Sequence, residues 1–218
     1  PNFQTSHNEF GLQDATAGII VFYYGAPFVT TTVGDSIEIT GDLDEYNGKF
    51  EIVPSGADDI TVISSGNDLP AFQVVTVAGF LASAEDFESE LIRINGASIT
   101  SGTWPTSGSE NLTISDDGGT STVTMRIDSD TDIDGQTQPQ EPFNVQGIAG
   151  QFTYSDPPTD GYQILPRYYT DFTPAGAVAP TIADITMDPT SPTDEDNVTI
   201  SATVTDASTV ASVTLTYD

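Results

Sequence analysis

Apolar and polar residues alternate with a period of two through short runs along most of the chain, which is the pattern of half-buried β-strands. The first runs are Phe10-Gly11-Leu12-Gln13-Asp14, Gly18-Ile19-Ile20-Val21-Phe22-Tyr23-Tyr24, Asp35-Ser36-Ile37-Glu38-Ile39-Thr40-Gly41 and Lys49-Phe50-Glu51-Ile52-Val53. Between them stand turn sequences with chemical reasons: Ala15-Thr16-Ala17-Gly18, Val33-Gly34-Asp35 and Tyr46-Asn47-Gly48, whose Asn-Gly pair is the strongest hairpin signal in the chain. Further strands are expected at Leu91 to Ile94 continuing through Ala97 to Thr100, and at Asn111 to Ser115, Thr122 to Ile127, Phe143 to Ile148 and Gly161 to Pro166. One stretch, Ser83 to Leu91, reads as a short helix through Ala84-Glu85-Asp86-Phe87-Glu88. After Asp171 the run Thr173 to Pro180 reads as a linker by its Pro and Gly content, and Ile182 to Thr186, Asn197 to Asp206 and Val210 to Leu215 read as three more strands. The fold class is all-β.

The order and spacing of these runs repeat. Asn111 to Gly119 corresponds to the strand and turn around Gln13-Asp14, Phe143-Asn144-Val145-Gln146-Gly147 to Ile37-Glu38-Ile39-Thr40-Gly41, and Gly161 to Pro166 to Gly48 to Pro54. The segment Leu12 to Val21, followed by Val33 to Gly41, resembles the OB-fold modules of large secreted bacterial proteins, modules found beside extracellular nucleases and in surface proteins. The three strands after the linker are similar to the start of a bacterial Ig-like domain. The resemblance implies two OB-like barrels in tandem and a partial Ig-like β-sandwich: an OB-like domain over 1–82 with its first strand short or missing, a second over 83–174, a linker over 175–180 and an incomplete Ig-like domain over 181–218.

Charge narrows the partners. Thirty-three acidic residues stand against four basic ones, Lys49, Arg93, Arg126 and Arg167, for a formal charge of −29. So few cations do not neutralise a phosphate backbone, which argues against nucleic acid and anionic membrane surfaces. The same imbalance suits saline water, hence a marine or halophilic source, and invites divalent cations. There is no cysteine, so disulfides and thiol chemistry are excluded. No signal peptide, transmembrane run or lipidation motif is present, and the start at Pro1 reads as that of a mature fragment of something longer.

One motif carries specific chemistry. From Asp130 the chain reads D-x-D-x-D-G-x5-E: Asp130, Asp132, Asp134, Gly135 and Glu141, with the Gln136 carbonyl as a further oxygen, the ligand pattern of an EF-hand calcium loop. The flanking runs are strands, so this is no EF-hand domain. Two readings stand: a calcium loop on a β-scaffold, or a solvated acidic turn. The single histidine, His7, lies between Ser6 and Asn8 in what reads as a frayed start, a solvated loop residue rather than a catalytic base, and no catalytic constellation emerges. Among the aromatic residues, Tyr46 and Trp104 sit at turns and are the candidates for stacking a sugar ring.

The expected function is a non-enzymatic architectural or adhesive segment of an extracellular, cell-surface multidomain protein, a stalk or fibre stiffened by calcium. Its partners are neighbouring β-domains of the same chain or further copies of it, with polysaccharide as another candidate. The alternative is an accessory targeting region of a secreted nuclease or other hydrolase. The charge makes a prediction of its own: the thermal midpoint rises between ~0.05 M and ~1 M sodium chloride, because screening relieves like-charge repulsion more in the compact state than in the expanded one. A flat response in a melting series would overturn it.

Overall fold

The computed structural model describes residues 3, 7–25, 31–176, 181–205 and 213–214. It falls into two compact units, Pro1–Ala175 and Gly176–Asp218. Among the described residues no helix is long and apolar enough to cross a membrane.

The first unit opens with a hairpin of β1 (Asn8–Gln13) and β2 (Gly18–Tyr23). Its turn is held by the Asp14 carboxylate, which accepts from the N–H groups of Thr16 and Ala17. There follow β3 (Ser36–Ile39), β4 (Asp42–Tyr46), β5 (Lys49–Val53) and β6 (Ile60–Ser64). β4 and β5 are joined at Asn47 (φ 53°) and Gly48 (φ 89°), the left-handed pair that a tight hairpin turn requires and that Asn-Gly supplies at least cost. β5 lies parallel to β2, giving the sheet order β1-β2-β5-β4, while β3 pairs with β6.

The chain continues through β7 (Gln73–Val75), α1 (Val77–Ala82), β8 (Leu91–Ser101), β9 (Glu110–Ser115), β10 (Val123–Ile127), β11 (Phe143–Gln151), β12 (Tyr162–Leu165) and β13 (Phe172–Pro174). Five of these close into a barrel. Its ring runs β8-β9-β10-β12-β11 and back to β8, antiparallel everywhere except between β10 and β12. Closure requires β11 to pair with β12 along its second half and with β8 along its first, and the inward residues are apolar on every strand: Ile92, Ile94, Leu112, Ile114, Met125, Ile127, Phe143, Val145 and Ile164, all at most 1 % exposed.

The helix does not fall where the sequence pattern places it. It spans Val77–Ala82, capped by Thr76, whose Oγ1 accepts from Gly79 N, and Ser83 ends it with φ −148°. Ala84–Phe87 is a single 3-10 turn. Charged and polar residues drew attention to Ser83 to Leu91, but the stronger determinants lie earlier, a Thr cap followed by Val77 and Phe80, which are buried in the second barrel's core. β7 also pairs with β8. β7, outside the ring of five, and α1 thus pack with the strands and core of the second module.

The two modules share a plan strand by strand. β1, β2, β4 and β5 stand to one another as β9, β10, the second half of β11 and β12 do, and β3 with β6 matches the first half of β11 with β13. The break between β3 and β4 falls at Gly41, and Gly147 holds the same place within β11. In both a backbone passes too close for a side chain: a Cβ on Gly41 would stand 2.7 Å from the Val53 carbonyl oxygen, and one on Gly147 would stand 2.5 Å from that of Leu165. Even the following turn repeats. The Asp59 carboxylate accepts from Ser55 N at 2.8 Å, and that of Asp171 from Arg167 N at 2.7 Å. Among the described residues β8 has no counterpart strand in the first module. The nearest approach to it in the first module is the Phe3 N–H, which donates to the Glu9 carbonyl at 2.8 Å.

In the second unit β14 (Thr181–Asp188) and β15 (Thr199–Thr205) form an antiparallel pair with a register shift between Ala183 and Thr186. Ile182, Ile185, Val198 and Ile200 remain exposed. The third strand expected there, Val210 to Leu215, lies outside the described residues except for Val213 and Thr214, which belong to no strand.

The shared glycine makes a test of the repeat. Gly147→Ala and Gly41→Ala should each cost about 1–3 kcal/mol in urea unfolding, since the neighbour to be displaced is backbone. Gly56→Ala, where a Cβ meets nothing within 4 Å, should leave the midpoint nearly unchanged.

Candidate functional site

The acidic loop between β10 and β11 is placed by an apolar residue. Ile133 is 0 % exposed and belongs to the barrel core, so Asp132 and Asp134, its neighbours, point away from it. Each commits a carboxylate oxygen to a backbone amide: Asp132 Oδ1 accepts from Tyr169 N at 2.7 Å and Asp134 Oδ2 from Gly108 N at 2.8 Å. The two amides belong to different loops. Asp130 N donates to Asp128 Oδ1, the Gln136 carbonyl accepts from Trp104 Nε1 at 2.9 Å, and Glu141 Oε1 accepts from Gln138 Nε2. The motif's residues thus lie along one loop, and among the described residues no three acidic or imidazole groups are gathered as a metal cage. What the arrangement does chemically is stitch the barrel's end shut.

Trp104 is part of that closure. The indole is 7 % exposed, with its ring edge-on to Phe172 at 5.3 Å, and so serves the core rather than an open binding face. The reason is the indole's hydrogen bond to Gln136, which lets a large polar-edged ring be buried at a turn. Tyr46 is different. It is 56 % exposed, edge-on to Phe152 at 6.4 Å, and Phe152 in turn is edge-on to Tyr154 at 5.4 Å. The three form an exposed aromatic strip, built from the β4–β5 turn and the β11–β12 loop. Sequence reading found Tyr46 alone, because its companions lie about a hundred positions away and no period connects them.

The strip sits beside the joint of the two modules. Thr153 N donates to the Asn47 carbonyl at 2.8 Å, Leu91 N to Gln13 Oε1 at 2.9 Å, and Phe50 N to Glu88 Oε1 at 2.7 Å. Phe3, Ile20 and Ile148 are buried together there, with Leu91 and Leu165 against them. Near this joint Lys49 Nζ lies 2.5 Å from Glu9 and 3.0 Å from Glu51, whose side chain is only 4 % exposed. Burial pulls the Lys49 ammonium down, but the charges of Glu9 and Glu51 outweigh it and hold its pKa above the ordinary value. Burial pushes the Glu51 carboxyl up, against the attraction of Lys49. The other cations are also committed within the chain: Arg167 to Asp171 at 2.8 Å, Arg126 to Asp128 at 3.7 Å, and Arg93 over the Phe72 ring at 5.2 Å.

No protein-family model matches this chain, and no curated protein matches it either.

The Lys49 cluster yields a pH prediction. Lys49→Met strands two carboxylates at the joint and should cost about 3 kcal/mol at pH 7. Glu51, raised in the folded state, binds its proton more tightly there than in the unfolded chain, so its contribution is complete below the ordinary value of 4.5 and lost as pH rises through the raised one. Lys49 opposes that rise, so in the variant the Glu51 carboxyl is raised further than in the parent, the variant gains more on protonation, and its deficit should shrink as pH falls from 7 toward 4.5. Urea unfolding of both proteins across that range measures it, and a constant deficit would contradict the placement of the charge.

Proposed function

We propose that the chain is a non-enzymatic architectural segment of an extracellular multidomain protein, in which two OB-like barrels and an Ig-like unit act as consecutive spacer domains. The observation that carries this reading is the joint: two modules of one plan are fused by a buried apolar cluster, backbone-to-side-chain hydrogen bonds and the Lys49 ion pairs, which suits a stiff element that transmits load. The OB assignment is supported by ring connectivity, first strand to second to third to fifth to fourth and back, the five-stranded Greek-key barrel of that fold. The −29 charge, the ion pairs of Lys49, Arg126 and Arg167 and the stacking of Arg93 on Phe72 favour saline surroundings and disfavour nucleic acid. Calcium enters the proposal as a stiffener of the loop from Asp130 to Glu141, through oxygens additional to those bonded to Tyr169 and Gly108.

A second reading, a polysaccharide-targeting module, is favoured by the strip of Tyr46, Phe152 and Tyr154. OB barrels bind oligosaccharides through the loop between their fourth and fifth strands, and Phe152 and Tyr154 lie on that loop here. A glycan array separates the two. The architectural reading expects no specific binding, whereas binding that disappears in the Tyr46→Ala, Phe152→Ala, Tyr154→Ala triple variant would replace it with the targeting reading. Chelation tests the calcium: the thermal midpoint should fall when divalent ions are removed at fixed ionic strength, and an unchanged midpoint removes the ion from the account.

A further inference from the structure

Among the described residues, the first module has a groove where the second has a strand. In the closed barrel β8 lies between β9 and β11, antiparallel to both, and turns Ile92, Ile94 and Ala97 into the core. The equivalents of β9 and β11 in the first module are β1 and β3. Among the described residues no strand pairs with β1 opposite β2 or with β3 opposite β6. Between those two edges lies a cavity of about 460 Å³, lined by Gly11 and Gln13 from β1, by Val33, Ser36 and Ile37 at β3, and by Ile148. Its backbone is turned toward it. Residues along an antiparallel strand alternate between bonding the partner and facing away, and because the Glu9 carbonyl accepts from Phe3, the next to face away are Gly11 and Gln13.

We propose that this groove accepts a β-strand from a second copy of the chain, and that the donor is the segment Ala207–Tyr217. The occupant's chemistry is read from β8: an extended segment, antiparallel to both edges, with apolar side chains at alternate positions. In Ala207–Tyr217 the residues Val213, Leu215 and Tyr217 alternate with Thr214 and Thr216, and no charge occurs throughout. Neutrality matters in a chain of formal charge −29, where an approach by most other segments meets like-charge repulsion. Val213 is 63 % exposed and outside any strand. Donor and acceptor lie on different parts of the chain, so the contact is head-to-tail and extends into a filament unless it closes into a ring. This inference deepens the architectural reading and rests on it, but its failure leaves that reading standing, since that one is decided on the glycan array.

The test is sedimentation equilibrium of the 218-residue chain in ~1 M sodium chloride, where the screening length is about 3 Å. The parent protein should show species heavier than 23.0 kDa that grow with concentration. The acceptor variant Val33→Asp and the donor variant Leu215→Asp should each remain at 23.0 kDa, and an equimolar mixture should give a pair of twice that mass with no further growth, because each copy then offers only one competent end. A parent that stays monomeric at all concentrations overturns the proposal. So does association that ignores both substitutions, or a mixture that fails to pair. If either variant loses the parent's circular dichroism, a synthetic peptide of Ala207–Asp218 takes its place, and its failure to dissolve the parent's oligomers is equally decisive.

Discussion

The pairing of β8 with β11 is the interaction on which the rest of the structure depends. Without it the second module would be a curled sheet with two open edges, and its core would face water along one side. With it, nine inward apolar side chains from five strands reach near-complete burial, and the helix α1 and the acidic loop have fixed walls against which to place Phe80 and Ile133. Among the described residues, the first module shows the same design without that strand. Of the residues that match those core positions, Val21 is buried while Phe10, Leu12, Ile37 and Ile52 are only half-buried, and Ile20, on the other face of β2, is buried with Ile148 of the second module. One module is complete in itself, and the other leans on it through the joint.

Much of this plan was legible in the alternation of residues and in two pieces of backbone chemistry. Asn47-Gly48 had to be a tight hairpin, and its left-handed angles bear that out. The alignment of Gly41 with Gly147 rested on sequence spacing, and the structure supplies its cause, a crossing backbone that leaves no room for a Cβ in either copy. The alternation does not announce β4, β6, β7 or β13, and for two of them the reason is plain. All five residues of β4 are exposed, so Asp42-Leu43-Asp44-Glu45-Tyr46 reads as a polar loop although β5 holds it in register throughout. β7 is three residues long and owes its place to β8. The helix lies one segment ahead of the acidic run at Ser83 to Leu91, because the Thr76 cap and the buried pair Val77 and Phe80 outweigh the charged residues that follow.

The acidic loop shows a different limit. Its spacing of carboxylates matches a calcium-binding pattern, but the residue that determines its path is Ile133, between two of the aspartates, and the amides that those aspartates bond belong to loops far away in sequence. Nothing local in the pattern distinguishes a carboxylate awaiting a cation from one capping a distant amide. Trp104 is a parallel case, since a turn position suggested exposure and a single hydrogen bond to Gln136 made burial affordable. The strip of Tyr46, Phe152 and Tyr154 exists only because the joint brings two loops of different modules together.

The two modules share one barrel plan, closed in one case and, among the described residues, open in the other at the same place. Native-state hydrogen exchange of the monomer at low protein concentration tests it directly. The account predicts that backbone amides of β8, β9 and β11 exchange only through global opening, whereas Gly11 and Gln13 on the outer edge of β1 exchange orders of magnitude faster than their counterparts on β9. Equal protection of the β1 edge and of β9 would contradict the account, for it would mean that the first module is already closed by its own chain.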